Sequence, residues 1–495
     1  MDSLGSYCLL AFLPLLYLIK SYLSPAYPGL RLPPGPWQLP IIGSLHHLRG
    51  GLLHRVMGDL SKRYGPLMFL KIGEVPVVVA SSREAAREIL KTHDTVFATR
   101  PQTPTVKLLS EGSPGLALAP YGEQWRQFRR ICMVELLSAK RVQSFRTVRE
   151  DEALRLVRSV SSSPTPLVNL GDLLSTYVLD ISVRCIMGDR FKERDTFLRQ
   201  LEKDMELLGG FSLTDIFPSS RLVQALSSAP REAEAHHNEV LKLMDGVLSE
   251  HMEKRSSKTP HRDDFIDVLV RIQREEGTLS TGAIKGLIHD LFSAGGETAT
   301  VLLQWIMAEL MRNPDAMTKA QDEVRAVFSK MMKVTEEGLT ELSYLRCVIN
   351  EALRLHPPGG FLIPRESREQ CRILGYDVPK GATVMINIWA ISRDREYWDE
   401  PEVFRPERFE ESKIDLKGND FEFTPFGAGR RICPGISFAL ANIELALANM
   451  LFYFKWSLPD GVSCTDVDMT EAAGLVNRRK SPLYLKATPC QPLPS

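Results

Sequence analysis

One glycine- and proline-rich stretch near the C-terminus constrains this chain more than any other. Residues 423–435 read FTPFGAGRRICPG, in which a single cysteine, Cys433, follows two arginines. Pro425 and Pro434 cannot lie inside a helix or a central strand, and the glycines allow tight turns with positive φ. Such a loop can hold one sulfur at a fixed point, where backbone N–H groups and the arginines favour a thiolate, which is a metal ligand. The alternative interpretation is a small buried cysteine.

Within this loop, five positions follow the pattern F-x-x-G-x-R-x-C-x-G. They are Phe426, Gly429, Arg431, Cys433 and Gly435. The pattern closely resembles the haem-thiolate loop of the cytochrome P-450 family. The resemblance implies that Cys433 is the axial ligand of the iron in haem b, and that Phe426, Arg431 and Gly435 help to bind the haem.

Composition narrows the class of protein. The chain has 495 residues, of which 44% are hydrophobic and 25% charged, as is ordinary for a globular protein. Lysine and arginine together number 61, as do aspartate and glutamate, so the chain lacks the basic charge of a nucleic-acid binder. The eight cysteines form no C-x-x-C pair, which excludes the usual zinc and disulfide spacings and is typical of a reducing compartment. A metal is therefore expected within a prosthetic group.

A long helical pattern from Ala283 to Arg312 has an unusual centre. Residues 294–300 read AGGETAT, and two adjacent glycines in a helix cost about 1 kcal/mol each relative to alanine. One interpretation is a glycine packing contact beside a threonine that bonds back to its own helix. The other is a groove for a diatomic ligand, in which Glu297 and Thr298 relay protons from solvent.

This centre resembles the oxygen-activation motif of the cytochrome P-450 family, A/G-G-x-D/E-T-T/S. The matching residues are Ala294, Gly295, Glu297 and Thr298. The resemblance implies catalytic roles for Glu297 and Thr298 in proton delivery. Ala299 departs from the motif, because the family usually has a hydroxyl side chain there, and Thr300 would compensate only in part.

Glu351 and Arg354 stand three positions apart, on one face of a helical pattern. Alone, the pair would be an ordinary ion pair of little significance. It is followed by His356-Pro357-Pro358, and later by residues 404–409, which read FRPERF. These segments resemble the E-x-x-R helix of the family and its P-E-R-F partner. The resemblance implies a buried structural network of Glu351, Arg354 and Arg408 behind the haem.

Trp125 and Arg129 stand four positions apart in another helical pattern. Their W-x-x-x-R spacing resembles that of the family and implies that both reach the haem propionates, for which the planar fork of arginine is suited. Arg365 matches a further propionate-binding position, as does the second arginine of the cysteine loop. The neighbouring Arg126 and Arg130 form either a solvated basic face or a contact surface for an acidic electron donor.

Residues 1–23 are expected to form an uncleaved membrane anchor. Tyr7–Ile19 contains no charged residue, and about 20 helical residues span a bilayer core. Lys20 and Arg31 follow the apolar run, which places the C-terminal bulk in the cytosol. A cleaved signal peptide is the alternative, but the residues before the run are acidic rather than basic, and Pro25–Pro28 is a poor cleavage site.

Residues 24–40 are rich in proline and are expected to form a stiff hinge, which resembles that of microsomal cytochromes P-450. Leu67–Ile72 and Val75–Ala80 predict a β-hairpin, whereas most later segments have helical periodicity. The predicted fold class is mainly α with a small β-sheet region. Residues 41–495 are read as one large catalytic domain with the cytochrome P-450 fold.

The resemblance covers nearly the whole chain and is nearest to plant microsomal members of the A-type group. It implies a haem-thiolate monooxygenase of the endoplasmic reticulum membrane, which inserts one atom of O2 into a C–H bond of a small hydrophobic metabolite. Electrons would come from NADPH through NADPH–cytochrome P-450 reductase. The alternatives are a haem-thiolate isomerase or dehydratase that does not use O2, and a non-catalytic haem sensor. The pair Glu297 and Thr298 argues against both.

Substrate choice is expected from scattered segments that resemble the recognition regions of the family. The expected pocket residues are Leu116, Phe211, Ala294, Leu362, Ile363 and Val476. Most are apolar, and the small residues at 359–360 and 472–474 leave space for a bulky carbon skeleton. A terpenoid is the favoured substrate class, and a phenolic or indolic compound is the alternative.

Overall fold

The structure is a computed structural model that describes residues 27–188, 194–209, 212–255 and 263–493. The expected anchor at 1–23, the first residues of the expected hinge and the expected pocket residue Phe211 lie outside these ranges. The described chain is mainly helical with small sheets, so the predicted fold class is confirmed.

The helices and strands follow one another along the whole described chain. The α-helices are α1 (Leu53–Tyr64), α2 (Arg83–Arg87), α3 (Pro104–Leu109), α4 (Glu123–Ile131), α5 (Ala139–Ser144), α6 (Arg146–Ser161), α7 (Leu170–Met187), α8 (Arg194–Gly209), α9 (Leu213–Ile216), α10 (Arg221–Leu226), α11 (Ala229–Arg255), α12 (Phe265–Glu276), α13 (Thr281–Arg312), α14 (Pro314–Phe328), α15 (Ser343–Leu355), α16 (Ile388–Ile391) and α17 (Ile436–Tyr453). Two π-helical turns, Glu88–Thr92 and Cys132–Leu136, directly continue α2 and α4. The strands are β1 (Leu67–Ile72), β2 (Val75–Ala80), β3 (Leu167–Asn169), β4 (Arg365–Glu366), β5 (Cys371–Ile373), β6 (Tyr376–Val378), β7 (Thr383–Ile386), β8 (Phe454–Ser457) and β9 (Tyr484–Pro489).

The largest sheet has the strand order β1-β2-β7-β4. The predicted hairpin is confirmed, because β1 and β2 pair antiparallel with Leu67 opposite Ala80. β7 pairs in parallel with β2 and antiparallel with β4, whose first residue is Arg365. Two smaller sheets, β3-β9-β8 and β5-β6, complete the strand pairing of the described chain.

The long helix α13 lies at the centre of the helical part and packs along α7. Ser280 caps its N-terminus, and the helix ends at Arg312 because Pro314 begins the next helix. The glycines in its middle allow close packing, since a Cβ at Gly296 would lie 2.4 Å from Leu179 Cδ2 of α7. The predicted helix from Ala283 onward is therefore confirmed, with a start two residues earlier.

α17, which follows the cysteine loop, is apolar on nearly all sides. Among the described residues it is the one helix long and apolar enough to cross a membrane, yet 67% of the apolar stretch is buried inside the protein. Its side chains pack in the main hydrophobic core. It is therefore a core helix, as a helix that is hydrophobic all round often is.

A buried cluster joins three helices that lie over one another. Asp204 of α8 accepts hydrogen bonds from His236 of α11 at 2.8 Å and from His289 of α13 at 2.6 Å. Burial alone would raise the pKa of Asp204, but the two imidazoles lower it to about 2. Burial works against protonation of His289, yet the Asp204 carboxylate and the nearby Asp290 raise the pKa of His289 above its ordinary value. A charged bridge in this cluster therefore ties α8 and α11 to α13.

Asp204→Asn should destabilise the protein in a pH-dependent way. Because the pKa of Asp204 is lowered, its carboxylate stabilises the folded protein at pH values above 3.8, the ordinary pKa. This stabilisation is lost as the pH falls towards about 2. The raised pKa of His289 gives a contribution that is complete below 6.5 and is lost as the pH rises through the folded-state value. At pH 6 the substitution should lower the free energy of unfolding by about 3 kcal/mol, measured by urea unfolding, and at pH 9 by clearly less.

The matched control is Asp245→Asn. Asp245 also joins α11 to α13, through Lys285 at 2.5 Å, but its side chain is 62% exposed. Exposed ion pairs contribute little, so the control should change the unfolding free energy by less than about 1 kcal/mol at either pH. Equal losses for the two variants, or a loss at Asp204 that does not change with pH, would contradict the charged bridge.

Candidate active site

The cysteine loop holds its sulfur through the backbone. The N–H of Cys433 donates to the carbonyl of Phe426 at 2.9 Å, and the N–H of Gly435 donates to Cys433 Sγ at 3.3 Å. Gly427 and Gly429 have φ values of 74° and 68°, which favour glycine. A Cβ at Gly429 would lie 2.2 Å from the carbonyl oxygen of Leu90. The sulfur is thus fixed just before the first residue of α17.

The expected stabilisation of the thiolate by the adjacent arginines is not found. Burial raises the pKa of the Cys433 thiol, and the Gly435 N–H and Arg129 oppose this shift without reversing it. Arg430 and Arg431 instead bond to groups other than the sulfur. A metal ion deprotonates a thiol that coordinates it, so the charge of a bound iron would stabilise the thiolate that the loop alone does not.

Cations crowd the space beside the loop. Arg431 donates to the carbonyls of Ala98, Leu116 and Ala119 at 2.7, 3.2 and 2.6 Å. Burial together with its cationic neighbours lowers the pKa of Arg431 to about 9. Arg365 is buried and donates to Asp94 at 3.1 Å and to the carbonyl of Ala428 at 3.0 Å. Its expected contact with a propionate would therefore be shared with the protein.

Sequence reasoning missed two members of this group, Arg100 and Asp94. Arg100 is buried, and its acceptors among the described residues are the carbonyl oxygens of Ala117, Ile363 and Pro364. Burial and the neighbouring Arg431 and Arg365 lower the pKa of Arg100. Asp94 is buried and accepts from Arg365 and Arg430. Both lie in residues 91–103, which read KTHDTVFATRPQT and contain no local pattern that marks either residue as part of a site.

Trp125 and Arg129, which lie one turn apart on α4, both carry donors that the described chain leaves unsatisfied. The indole N–H of Trp125 is buried and has no hydrogen-bond partner within the described chain. The guanidinium of Arg129 forms no ion pair or hydrogen bond with any described residue, and burial lowers the pKa of Arg129. The guanidinium of Arg431 lies 4.3 Å from the centre of the Trp125 ring. These donors, the surplus of cations and the neighbouring thiol fit a haem with its two propionates.

On the other helix, α13, both interpretations of the glycine-rich centre have support. Thr298 Oγ1 donates to the carbonyl of Ala294 at 2.8 Å, and the buried Thr300 donates to that of Gly296 at 2.8 Å. Ala294 is nevertheless exposed and Thr298 partly exposed, so this face borders open space. Thr300 cannot replace the hydroxyl missing at Ala299, because it is buried and already bonded.

Glu297 has a partner that sequence reasoning did not find. Its carboxylate pairs with Arg478 of the C-terminal loop, and the two side chains are 18% and 45% exposed. The bond raises the pKa of Arg478. Glu297 therefore lies at the margin between the interior and solvent, where a group that passes protons inward would be needed.

The described pocket residues lie on four segments, of which α13 carries Ala294. Leu116 is buried, and its carbonyl accepts from Arg431 of the cysteine loop. Leu362 lies against that loop, since a Cβ at Gly427 would be 3.7 Å from its methyl groups. Ile363 is exposed and Val476 partly so. Their roles in substrate binding stay a prediction.

Glu351, Arg354 and Arg408 form the network that was expected. Glu351 Oε2 accepts from Arg354 at 2.7 Å, and Oε1 accepts from Arg408 at 2.9 Å. Glu351 and Arg354 are fully buried. Arg354 also donates to the carbonyls of Ser392 and Pro401 at 2.8 and 2.7 Å, so α15 is joined to the segment before the cysteine loop.

Glu351→Gln should unfold the protein more easily. The substitution leaves two buried guanidinium groups without their carboxylate, which should cost about 3–5 kcal/mol of unfolding free energy and lower the yield of folded protein. Glu400→Gln is the control, because Glu400 pairs with Arg405 at 3.1 Å with its side chain 61% exposed. An effect at Glu351 no larger than that at Glu400 would exclude a structural role for the network.

Comparisons with known proteins agree with this geometry. The family model for cytochrome P-450 matches residues 33–486. The chain is 44% identical to premnaspirodiene oxygenase of Hyoscyamus muticus over 488 residues, 97% of each chain. It is 46% identical to tabersonine 6,7-epoxidase isoform 1 of Catharanthus roseus over 463 residues, 92% of this chain and 91% of that one.

A solved structure agrees with the fold. A zebra fish cytochrome P-450 solved with abiraterone is similar with a TM-score of 0.74 at 25% identity, and the match covers 88% of this chain and 99% of that one. The family match over most of the chain, together with the identity to these full-length relatives, decides the assignment. The chain belongs to the cytochrome P-450 family of haem-thiolate monooxygenases.

Proposed function

We propose that the chain inserts one oxygen atom from O2 into a C–H bond of a small terpenoid, with electrons from NADPH through NADPH–cytochrome P-450 reductase. The observation that carries the activity is the pairing of the Cys433 loop with unsatisfied donors at Trp125 and Arg129. The favoured substrate class is supported by the relatives, which are plant terpenoid and alkaloid oxygenases and hydroxylases. The alkaloid-converting relative supports an indolic compound as the alternative.

The residues around Cys433 would hold the cofactor. Cys433 would ligate the iron, Phe426 and Gly435 would lie beside the macrocycle, and Trp125 and Arg129 would donate to the propionates. Arg365 and Arg431 would add positive charge there. A haem with an axial thiolate supplies the activation of O2. The protein supplies ligation, orientation and a site from which water is excluded.

Proton delivery would fall to Thr298 and Glu297. Because the Thr298 hydroxyl donates to the Ala294 carbonyl, its oxygen is left as an acceptor for a proton-donating water. Thr298 can donate to a ligand only after it releases that carbonyl. Glu297 must likewise exchange Arg478 for water before it can pass a proton inward. Both side chains are therefore hydrogen-bonded to the protein at rest, and a rotation about their side-chain torsions would break these bonds.

A membrane location is supported by exposed apolar side chains. They are Trp37, Leu39, Ile41, Leu213, Leu222 and Leu226. The first three lie at the end of the proline-rich segment and directly after it, and the second three lie on α9 and α10. In the turn between β1 and β2, Gly73 donates its N–H to the carbonyl of Ile42 at 3.2 Å and Glu74 accepts from Ser219, and these contacts bring the two groups near the same side of the protein. With residues 1–23 as anchor and 24–40 as hinge, this side of the 41–495 domain would rest on the endoplasmic reticulum membrane.

A surface for the reductase is supported beside α4. Arg126 and Arg130 are exposed, on the helix that carries Trp125 and Arg129 towards the interior. Met133 and Val134, in the π-helical turn that follows, are exposed apolar side chains. Exposed arginines beside exposed apolar side chains suit an acidic protein partner, which opposite charge steers into contact. Arg130 would exchange its exposed ion pair with Glu276 for such a partner.

Co-expression with a plant reductase, followed by mass spectrometry, tests the reaction and the substrate class. Membranes would be supplied with terpenoid, alkaloid and phenolic candidates, NADPH and isotopically labelled O2. We expect a terpenoid product that contains one labelled oxygen. The reduced, carbon-monoxide-bound protein should show the red-shifted Soret band of thiolate ligation. Cys433→Ala should lose both signals, whereas Cys347→Ala, which changes a buried free cysteine elsewhere, should keep both.

Other outcomes of this experiment separate the alternatives. A labelled alkaloid or phenolic product would replace the terpenoid assignment. A converted product without the label would indicate an isomerase or dehydratase. A thiolate-type spectrum in a protein that neither converts any candidate nor oxidises NADPH would favour the haem sensor.

Thr298→Ala should uncouple electron transfer from product formation. With the hydroxyl removed, electrons from NADPH should leave as hydrogen peroxide, and product formed per NADPH should fall by about tenfold or more. Thr300→Ala is the control, since its hydroxyl is buried and bonded to Gly296. Unchanged coupling in Thr298→Ala, or equal loss in both variants, would remove Thr298 from proton delivery.

A further inference from the structure

A segment of backbone, Gly112–Ala117, lies directly on the N-terminal half of α13. A Cβ at Gly282 would lie 1.9 Å from the carbonyl oxygen of Gly112. A Cβ at Gly286, one turn later, would lie 2.5 Å from the carbonyl oxygens of Ser113 and Pro114. Since real Cβ contacts never come so close to backbone, a side chain at either glycine would push the segment away from the helix.

Asp290, one further turn along α13, holds the end of the same segment. Its carboxylate accepts from the backbone N–H of Leu116 and, at 2.9 Å, from that of Ala117. Gly115 is also required here, because a Cβ would lie 2.3 Å from the Asp290 carboxylate. Burial raises the pKa of Asp290, and the two N–H donors together with His289 oppose this shift by favouring the carboxylate. The paired hydrogen bonds fix the segment in register with the helix.

The carbonyls of the same two residues face the arginines beside the cysteine loop. Leu116 accepts from Arg431 at 3.2 Å, and Ala117 accepts from Arg100 at 3.1 Å. The segment therefore bridges Asp290 on one side and the cationic cluster on the other. Farther back, the carbonyl of Glu111 accepts from His237 of α11 at 2.7 Å, so a second helix holds its beginning.

The segment lies close to the glycine-rich centre of α13. Ala294 lies one turn after Asp290, on nearly the same face of the helix, and that alanine is exposed to the open space before Thr298. The contacts of Asp290 therefore place the segment about one helical turn from the exposed Ala294. The distance of the segment from α13 is set by the absence of side chains at the glycines and by the carboxylate.

We propose that Gly282, Gly286 and Asp290 are positioning residues that set how closely Gly112–Ala117 approaches the distal space, and so determine the bulk of the ligand admitted. The proposal rests on the proposed function, in that the ligand lies over a haem. None of the three residues needs to touch the ligand. They act through the backbone of the segment and through Leu116.

Azole ligands of different size test the proposal without knowledge of the natural substrate. Imidazole and clotrimazole would be titrated into the haem-loaded protein, and dissociation constants taken from the shift of the Soret band. Gly286→Ala should leave imidazole affinity within about twofold and change the ratio of the two constants by about tenfold in favour of clotrimazole. Asp290→Asn, which keeps the shape but weakens the acceptor, should change the ratio in the same direction.

Gly246→Ala is the matched control. Gly246 lies inside α11, and a Cβ there would meet nothing within 4 Å, so the ratio should not change. The proposal would be overturned if Gly286→Ala and Asp290→Asn had the same ratio of imidazole to clotrimazole dissociation constants as the control. The comparison requires that each protein keeps its thiolate-type carbon monoxide spectrum. Absence of any azole shift or thiolate-type spectrum in the unsubstituted protein would instead overturn the proposed function and this inference with it.

Discussion

The site depends on positive charge that the protein does not neutralise by itself. Arg365 and Arg431 both lower the pKa of Arg100, and Arg365 and Arg129 lower that of Arg431. Among the described hydrogen bonds of this group, Asp94 is the one carboxylate acceptor. Like charges in a buried space are costly unless an anion joins them. A haem would bring two carboxylates to this space, so binding of the cofactor and stability of the fold are linked.

The two sides of the site share one piece of backbone. The N–H of Leu116 donates to Asp290 of α13, and its carbonyl accepts from Arg431 of the cysteine loop. The C-terminal loop is shared in a similar way, because Arg478 bonds Glu297 while Asn477 accepts from Trp305 of the same helix at 2.7 Å. Changes on the cofactor side can therefore reach the ligand side through main-chain atoms, without a chain of packed side chains.

Local spacing explains why some of the site is predicted well from the sequence. Glu351 and Arg354 are three apart on one helix, Trp125 and Arg129 four apart on another, and the glycines of the cysteine loop determine their own turns. Partners that only the fold brings together are not predicted. Arg100 lies 263 residues from the Ile363 carbonyl that it contacts, and no local pattern marks such a pair.

The predicted thiolate shows a different limit. Counting donors and cations near Cys433 in the sequence leaves out the cost of burial, which outweighs them. Side-chain direction is also missing from a sequence, and Arg431 is turned towards three carbonyls rather than towards the sulfur. The sequence also could not decide between a packing contact and a groove at the centre of α13. The same stretch has threonines bonded within the helix and an exposed alanine, so it supports both interpretations.

The N–H of Gly435 that bonds Cys433 Sγ has an electronic consequence. A hydrogen bond to a thiolate withdraws electron density from the sulfur and shifts the reduction potential of the metal it ligates towards more positive values. Here the donor belongs to the backbone, so an ordinary side-chain substitution cannot remove it. Among the coded amino acids, only proline lacks that N–H. With Cys433 as the proposed iron ligand, this part of the electron donation of the sulfur would be set by the path of the chain, and substitutions of pocket side chains would leave the bond from Gly435 in place.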